Sequence, residues 1–325
     1  MAELSGPSSG TAFRLAQDPP AGRGFAGPIR PTAWGLAQAL WEVTKPRVVA
    51  LLVMEAAAGG FLAAGPSWPR HAGGIIGGTA CVWLGASAAE ALTNTIDRDI
   101  DGRMARTRAR ALPARRLSPA QALVLGCVLL AAALVLAVPL GVWTGAFLAL
   151  GVADNVVVYS LLTKRRTPWS GVLGAFSGGA PALIGYAAVS GGVAWPGVLL
   201  AMVVMVWTPL HVWSLGWRHG ADYAVAGVPV PSNVWPRESV AVCIAGAAAA
   251  VAWLGLGLAL GLHQWLPLGG SVAGAVALAG PAWRLWRRRD LASATAVFRS
   301  SNLYLAVLLL TLILGAALAA TWRGV

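Results

Sequence analysis

Acidic residues are scarce in this 325-residue chain: 12 Asp and Glu stand against 24 Lys and Arg, and charged residues make up only 11%. Soluble domains carry about 25% charged residues. Several apolar stretches reach the roughly 20 residues that span a bilayer, so a soluble fold is excluded. Cysteine is nearly absent as well. Cys81, Cys127 and Cys243 each lie in an apolar run, with no CxxC spacing and no nearby His. That excludes a disulfide framework or a zinc site and leaves buried, inert thiols. Lysine occurs only as Lys45 and Lys164, beside 40 Gly and abundant Ala, a pattern of GC-rich coding rather than of function. No apolar signal-peptide core opens the chain. Residues 1–38, rich in Gly, Pro, Ala and Ser, read as a disordered cytoplasmic tail, and 39–325 as one membrane domain.

What is abundant is apolar length, 57% of the residues. Nine membrane helices are expected, near 48–64, 73–93, 120–138, 142–162, 170–189, 195–215, 239–262, 266–283 and 302–321. The fold class is all-α and multi-pass, with helices soft in Gly and Ala that can approach closely. Once the spans are laid out, 22 basic residues fall on one side, and only Arg70 and Arg323 fall on the other. This asymmetry predicts a cytoplasmic N-terminus in a cell (inner) membrane, and an outer C-terminus after nine crossings. The net charge of +12 is thereby explained by topology, and no nucleic-acid partner is implied. The longest loops, 2–3 and 6–7, lie on the same basic side, so the chemistry should face the cytoplasm.

The densest polar run closes the second helix: Asn94-Thr95-Ile96-Asp97-Arg98-Asp99-Ile100-Asp101. On a continuing helix Asn94, Asp97 and Asp101 share one face while Asp99 points away. Stacked oxygen donors repel one another unless a cation sits among them, and Mg²⁺ takes such hard ligands together with substrate phosphates. A charged helix end solvated at the membrane surface would carry the same residues. Arg106, Arg108 and Arg110 follow within two turns, and Lys164-Arg165-Arg166 closes the fourth helix. Guanidinium forks beside carboxylates are what a metal-bound diphosphate requires. Glu55, Glu90 and Asp154 lie at membrane depth, where ionisable groups are expensive and default to functional candidates.

The string Asn94-x-x-Asp97-Arg98-Asp99-Ile100-Asp101-x-x-Met104-x-Arg106-Thr107-x-x-Arg110-x-Leu112-Pro113 resembles the first aspartate-rich motif of the UbiA superfamily of intramembrane prenyltransferases. Supporting segments follow in order. They are Lys45-Pro46-Arg47, Tyr159 with Lys164-Arg165-Arg166-Thr167-Pro168, Pro181-x-x-x-Gly185, Trp207-Thr208-Pro209-x-His211-x-Trp213, and Asp222-Tyr223-x-x-Ala226-Gly227-Val228-Pro229. Together they look like the branch of the superfamily whose members farnesylate protohaem. The pattern departs from that branch at Ala111 and Leu210, where Pro is usual.

The resemblance implies nine helices around a central cavity and a Mg²⁺-dependent transfer of the farnesyl group of farnesyl diphosphate to a vinyl group of haem b, giving haem O. It implies Asn94, Asp97, Asp101 and Asp222 as metal ligands, and Arg106, Arg110, Lys164 and Arg165 as catalytic groups at the diphosphate. Tyr159, His211, Arg218, Asp222 and Tyr223 are implied as substrate-binding, with His211 holding the porphyrin. Two rival readings are a relative acting on a quinone precursor or another aromatic acceptor, and a cation transporter using Asp97, Asp101 and Asp154. The acids cluster on one side among Arg and Lys, which suits an anionic diphosphate and hinders cation flux.

Overall fold

Helix starts and stops follow the capping chemistry of the sequence. In the computed structural model, which describes residues 32–322, Thr32 Oγ1 accepts from the Gly35 amide at 3.1 Å and opens α1 (Ala33–Val43). Pro46 opens α2 (Pro46–Ala64), where its missing N–H costs nothing. A 3-10 turn over Gly65–His71 leads into α3 (Ala72–Ile96), and after a bend at Asp97 comes α4 (Arg98–Arg103). A capping box between Ser118 and Gln121 starts α5 (Pro119–Ala137). The helix α6 (Val142–Ala153) runs directly into a π-helix over Asp154–Thr163. Next come α7 (Ser170–Leu173) and α8 (Phe176–Ser190), the latter ended by Gly191 at φ 70°. After α9 (Trp195–Arg218), the short α10 (Gly220–Ala226) and α11 (Pro231–Val234) fill the loop. The last three are α12 (Arg237–Leu262), α13 (Trp265–Arg288) and α14 (Leu291–Trp322).

Among the described residues eight stretches are long and apolar enough to cross a membrane. The first of them, 51 residues from Pro46 to Ile96, is α2 and α3 folded back on each other at the 3-10 turn, so nine long helices result. The chain is a multi-pass membrane protein. Most boundaries lie within a few residues of expectation, with two differences. The last helix begins at Leu291 rather than near residue 302, so Arg299 is helical. And α1 occupies residues 33–43, so the end of the expected tail is helix; residues 1–31 lie outside the described residues. The 11 residues of α1 are too few to span a bilayer, which is why span-counting passed over it.

In the interior, α2 touches α3, α8, α9 and α14, with α5 and α13 at opposite edges of the bundle. Small residues permit this. A Cβ on Gly185 would sit 1.9 Å from the Ala56 carbonyl oxygen, and one on Gly59 would sit 2.2 Å from that of Ala182. With no hydrophobic force between helices in lipid, such contact is what holds them together. On the far side Tyr304, fully buried, fits against Gly255 and Gly274 and donates to the Val251 carbonyl at 2.9 Å. Glu55 also finds its reason here. Pro181 interrupts the ladder of α8, and Glu55 Oε1 accepts from the neighbouring Ala182 amide at 3.2 Å.

The α2–α8 contact gives a direct test. Gly185→Ala should destabilise the protein by about 1–3 kcal/mol through overpacking. Thermal unfolding in detergent should show this as a lowered midpoint. Gly246→Ala, which meets no atom within 4 Å, should leave the midpoint near wild type.

Candidate active site at the basic end of the bundle

The helix carrying the aspartates continues through its bend: the Asp97 amide bonds to the Thr93 carbonyl and the Asp101 amide to that of Asp97, both at 2.9 Å. Asn94, Asp97 and Asp101 are therefore buried on one side, whereas the Asp99 side chain is 48% exposed. Each buried carboxylate has a base. Lys164 Nζ bonds to Asp97 Oδ2, and Arg110 Nη1 to Asp101 Oδ2 at 3.0 Å. Arg165 instead forks onto Asp99 at 2.6 and 2.8 Å, and donates to the Ile96 carbonyl at 2.8 Å. Those bonds hold the Asp99 carboxyl below its usual range. Arg165 thus braces the helix end, standing 3.8 Å from Asp97 Oδ1.

Lys164 reaches Asp97 because of the π-helix. The Lys164 amide bonds five residues back, to the Tyr159 carbonyl at 2.8 Å, and the ammonium lies 5.5 Å from the Tyr159 ring centre. Tyr223 also lies in the electrostatic field of Lys164 and Tyr159. It arrives on α10, which docks on α4 through Ile100, Met104, Ala226 and Val228. Upstream in the same π-helix, Asp154 Oδ2 accepts from the Ser177 amide at 2.8 Å, in the first turn of α8. A carboxylate there satisfies a helix N-terminus.

Two spaces lie in this region, the first of them reaching Asp101. A vestibule of about 540 Å³ is lined by Lys45, Arg47, Asn94, Asp101, Arg110 and Trp41, among others. A deeper cavity between α2, α3, α6 and α8 is apolar, walled by residues such as Leu52, Val82, Leu148 and Ile184, with Glu90, Asn155 and Ser177 as its polar points. Lys45 of the vestibule and Glu90 of the deeper cavity pair at 2.6 Å, closing the line between them.

The other expected residues scatter. Arg106 is exposed, and its charge joins burial in lowering the pKa of His219 at the end of α9. Asp222 Oδ1 accepts from the Ala105 amide at 3.2 Å. His211 sits apart, its ring 4.4 Å from Trp207 and 4.8 Å from Phe298 of α14, with Nδ1 buried and unpartnered. Arg218 lies 5.7 Å from the same Phe298 ring and lines a different cleft.

Sequence reasoning did not place Lys45, Glu42 or the α1 backbone in the site. Asn94 Nδ2 donates to the Val43 carbonyl at 2.7 Å, and Glu42 receives the Ala111 amide at 3.0 Å. The one signal for this junction was Lys45-Pro46, a helix start. The left-handed backbone of Lys45, φ 48°, has no sequence signature.

Among the described residues no three His, Cys, Asp or Glu side chains stand ready to hold a metal by themselves. The expected four-residue ligand set is therefore not preassembled: Asp222 is spent on a backbone amide, and Asp97 and Asp101 each face a base. One oxygen nevertheless asks for a cation. Asp97 Oδ1 is buried and accepts no hydrogen bond, the Arg165 guanidinium standing 3.8 Å away. That fits an ion whose remaining ligands come from substrate oxygens and water.

Paired acids and bases at the mouth of an apolar helical bundle define a membrane site for a polyanion bearing an apolar chain. The chain belongs to the UbiA prenyltransferase family, whose model matches residues 52–308. It is 39% identical over 213 residues to the protoheme IX farnesyltransferase of Thermoplasma acidophilum, covering 65% of this chain and 74% of that one. It is 39% identical over 291 residues to that of a Nocardioides species, covering 85% and 90%. Solved structures agree in fold. A digeranylgeranylglyceryl phosphate synthase superposes with a TM-score of 0.71 at 14% identity, over 87% of this chain and 99% of that one. A UbiA homolog from Archaeoglobus fulgidus bound to DMAPP and Mg²⁺ gives 0.60 at 14% identity, over 84% and 98%.

The burial pattern ranks the aspartates. Asp97→Asn and Asp101→Asn should each lower prenyl transfer at saturating Mg²⁺ by about 100-fold or more, the scale of losing one preorganised charge contact. Asp99→Asn, which loses an exposed brace, should stay within about tenfold of wild type. Initial rates with a radiolabelled prenyl diphosphate make the comparison, and equal losses at all three positions would contradict the one-face arrangement.

Proposed function

We propose that this protein transfers the farnesyl group of farnesyl diphosphate to a vinyl group of protohaem IX, yielding haem O, in a Mg²⁺-dependent reaction. The observation that carries the chemistry is the buried Asp97 Oδ1, which accepts no hydrogen bond, beside Lys164 at the basic end of the bundle. Relatives 34–40% identical and named protoheme IX farnesyltransferase support the choice of acceptor.

Asp97, with Asn94 and Asp101, would hold Mg²⁺, which supplies positive charge to the leaving diphosphate. Lys164 and Arg110, which pair with Asp97 and Asp101 here, would supply ammonium and guanidinium donors to the phosphate oxygens. Arg165 keeps Asp99 and the helix end in place. The farnesyl C–O bond then breaks with its electron pair going to diphosphate, and the vinyl π electrons attack C1. Water adds to the resulting carbocation next to the pyrrole ring and loses a proton, giving the hydroxyethyl link. Until that point the apolar walls keep water from the allylic cation. Tyr159, whose ring faces the Lys164 ammonium, and Tyr223 would meet the prenyl diphosphate, and His211 would serve the acceptor. The basic face, with Arg106 and Asp222 in its loops, lies in the cytoplasm of a cell whose inner membrane holds the protein.

Purified protein given Mg²⁺, farnesyl diphosphate and haem b should form haem O by mass spectrometry; a product only with a phenolic or quinone-type acceptor would reassign the substrate. His211→Ala should cut haem binding and haem O yield severalfold while farnesyl diphosphate binding stays near normal. Asp97→Asn should do the reverse. Unchanged haem affinity in His211→Ala would leave that ring a packing residue. For topology, a reporter fused after Val325 should read outside and one inserted near Arg108 inside.

A further inference from the structure

A second basic cleft, of about 540 Å³, opens where α9 ends, α12 begins and α13 turns into α14. Arg218, Arg237, Arg288 and Arg289 line it with a single carboxylate, Asp290. That carboxylate is committed, accepting from the Ser293 amide at 2.7 Å to cap α14. Arg289 pairs with Glu238 at 2.9 Å across the α12–α13 seam. Among the described residues Arg237 and Arg288 have neither an ion pair nor a side-chain hydrogen bond. Ser232 Oγ, on the same wall, is buried without a partner. Guanidinium groups gathered round one space repel one another unless an anion sits among them. Their fork geometry suits phosphate oxygens, and a hydroxyl completes such a set.

A neighbouring feature says which phosphate. On the membrane side of the same helix ends, α12 and α13 leave a groove of about 250 Å³ between Ala245, Ala249 and Ala252 on one wall and Ala275, Ala279 and Ala282 on the other. It holds no ionisable group. Trp283 and Trp286 border it, their rings 4.7 Å apart, and Arg287 lies over both at 5.6 and 5.9 Å. Tryptophan beside arginine at a helix end marks headgroup depth. An apolar groove along α12 and α13, with an arginine cleft at the basic ends of the same two helices, matches one acyl chain and its headgroup. A free phosphate would have no use for the groove.

We propose that this cleft and groove form a binding site for an anionic phospholipid, separate from the prenyl diphosphate site. The headgroup phosphate lies among Arg237, Arg288 and Ser232, and one acyl chain runs between α12 and α13. The lipid so bound ties the α12–α13 pair to the ends of α9 and α14.

Native mass spectrometry of the full-length protein in micelles with phosphatidylglycerol or phosphatidylcholine tests this. Wild type should retain phosphatidylglycerol in preference. The double variant Arg237→Gln/Arg288→Gln should weaken its retention by about fivefold per arginine removed, from roughly 1 kcal/mol each. Ala249→Phe, which fills the groove and keeps every charge, should weaken it too. Both variants should bind farnesyl diphosphate as wild type does, so a folding defect would be visible. Equal retention of the two lipids, or retention unchanged in the double variant, overturns the proposal. So does displacement of phosphatidylglycerol by inorganic phosphate or by haem with Ala249→Phe binding normally, because the cleft would then serve a soluble anion or the acceptor.

Discussion

A carboxylate taken out of water at a membrane surface must find a cation, and much of the basic end of this protein is arranged around that requirement. Asp97 takes Lys164 from the end of the π-helix, and Asp101 takes Arg110 from the following loop. Through these pairs α3, α4, the loop and the fourth long helix are located against one another. Neighbouring bonds extend the lattice: Asn94 to the α1 carbonyl of Val43, and Glu42 to the loop amide of Ala111. Breaking one partner of a buried pair leaves an uncompensated charge, which typically costs about 3–5 kcal/mol. The same residues that hold the basic end of the fold together are therefore the ones proposed to meet the diphosphate.

Below this ionic layer the bundle changes character within one or two helical turns. The Lys45–Glu90 pair is the last ion pair before walls of Leu, Val and Ile. A substrate with a charged head and an apolar tail is thus oriented by solvation alone, head toward the arginines and tail toward the bilayer core. Such orientation by medium needs few specific contacts along the tail, and the lining offers few.

Much of this was legible in the residues. Apolar length located nine helices, and the spacing of Asn94, Asp97 and Asp101 put them on one face with Asp99 outside. Both readings depend only on helical period and transfer energy. What escaped depends on tertiary context. That Arg165 would fork onto Asp99, or that Glu55 would answer an amide beside Pro181, requires knowing which helix lies opposite. His211 and Arg218 were grouped from their nearness along the chain. Both lie in α9, and both meet Phe298, a residue some 80 positions downstream that no local pattern connects to them.

The π-helix of Asp154–Thr163 places a different kind of demand on the gene. Its turns are wider than those of α6, so each residue removed or added there would rotate everything that follows by roughly 100° about the helix axis, the angular step of an α-helix. The count of residues between the Asp154 carboxylate, which meets α8, and the Lys164 ammonium, which meets Asp97, is then constrained by the geometry more tightly than their identities. Side chains facing lipid in this stretch, such as Val157 and Leu161, are free to drift among apolar types. An in-frame codon deletion in the same ten positions would separate the two anchors, since both could no longer be met at once.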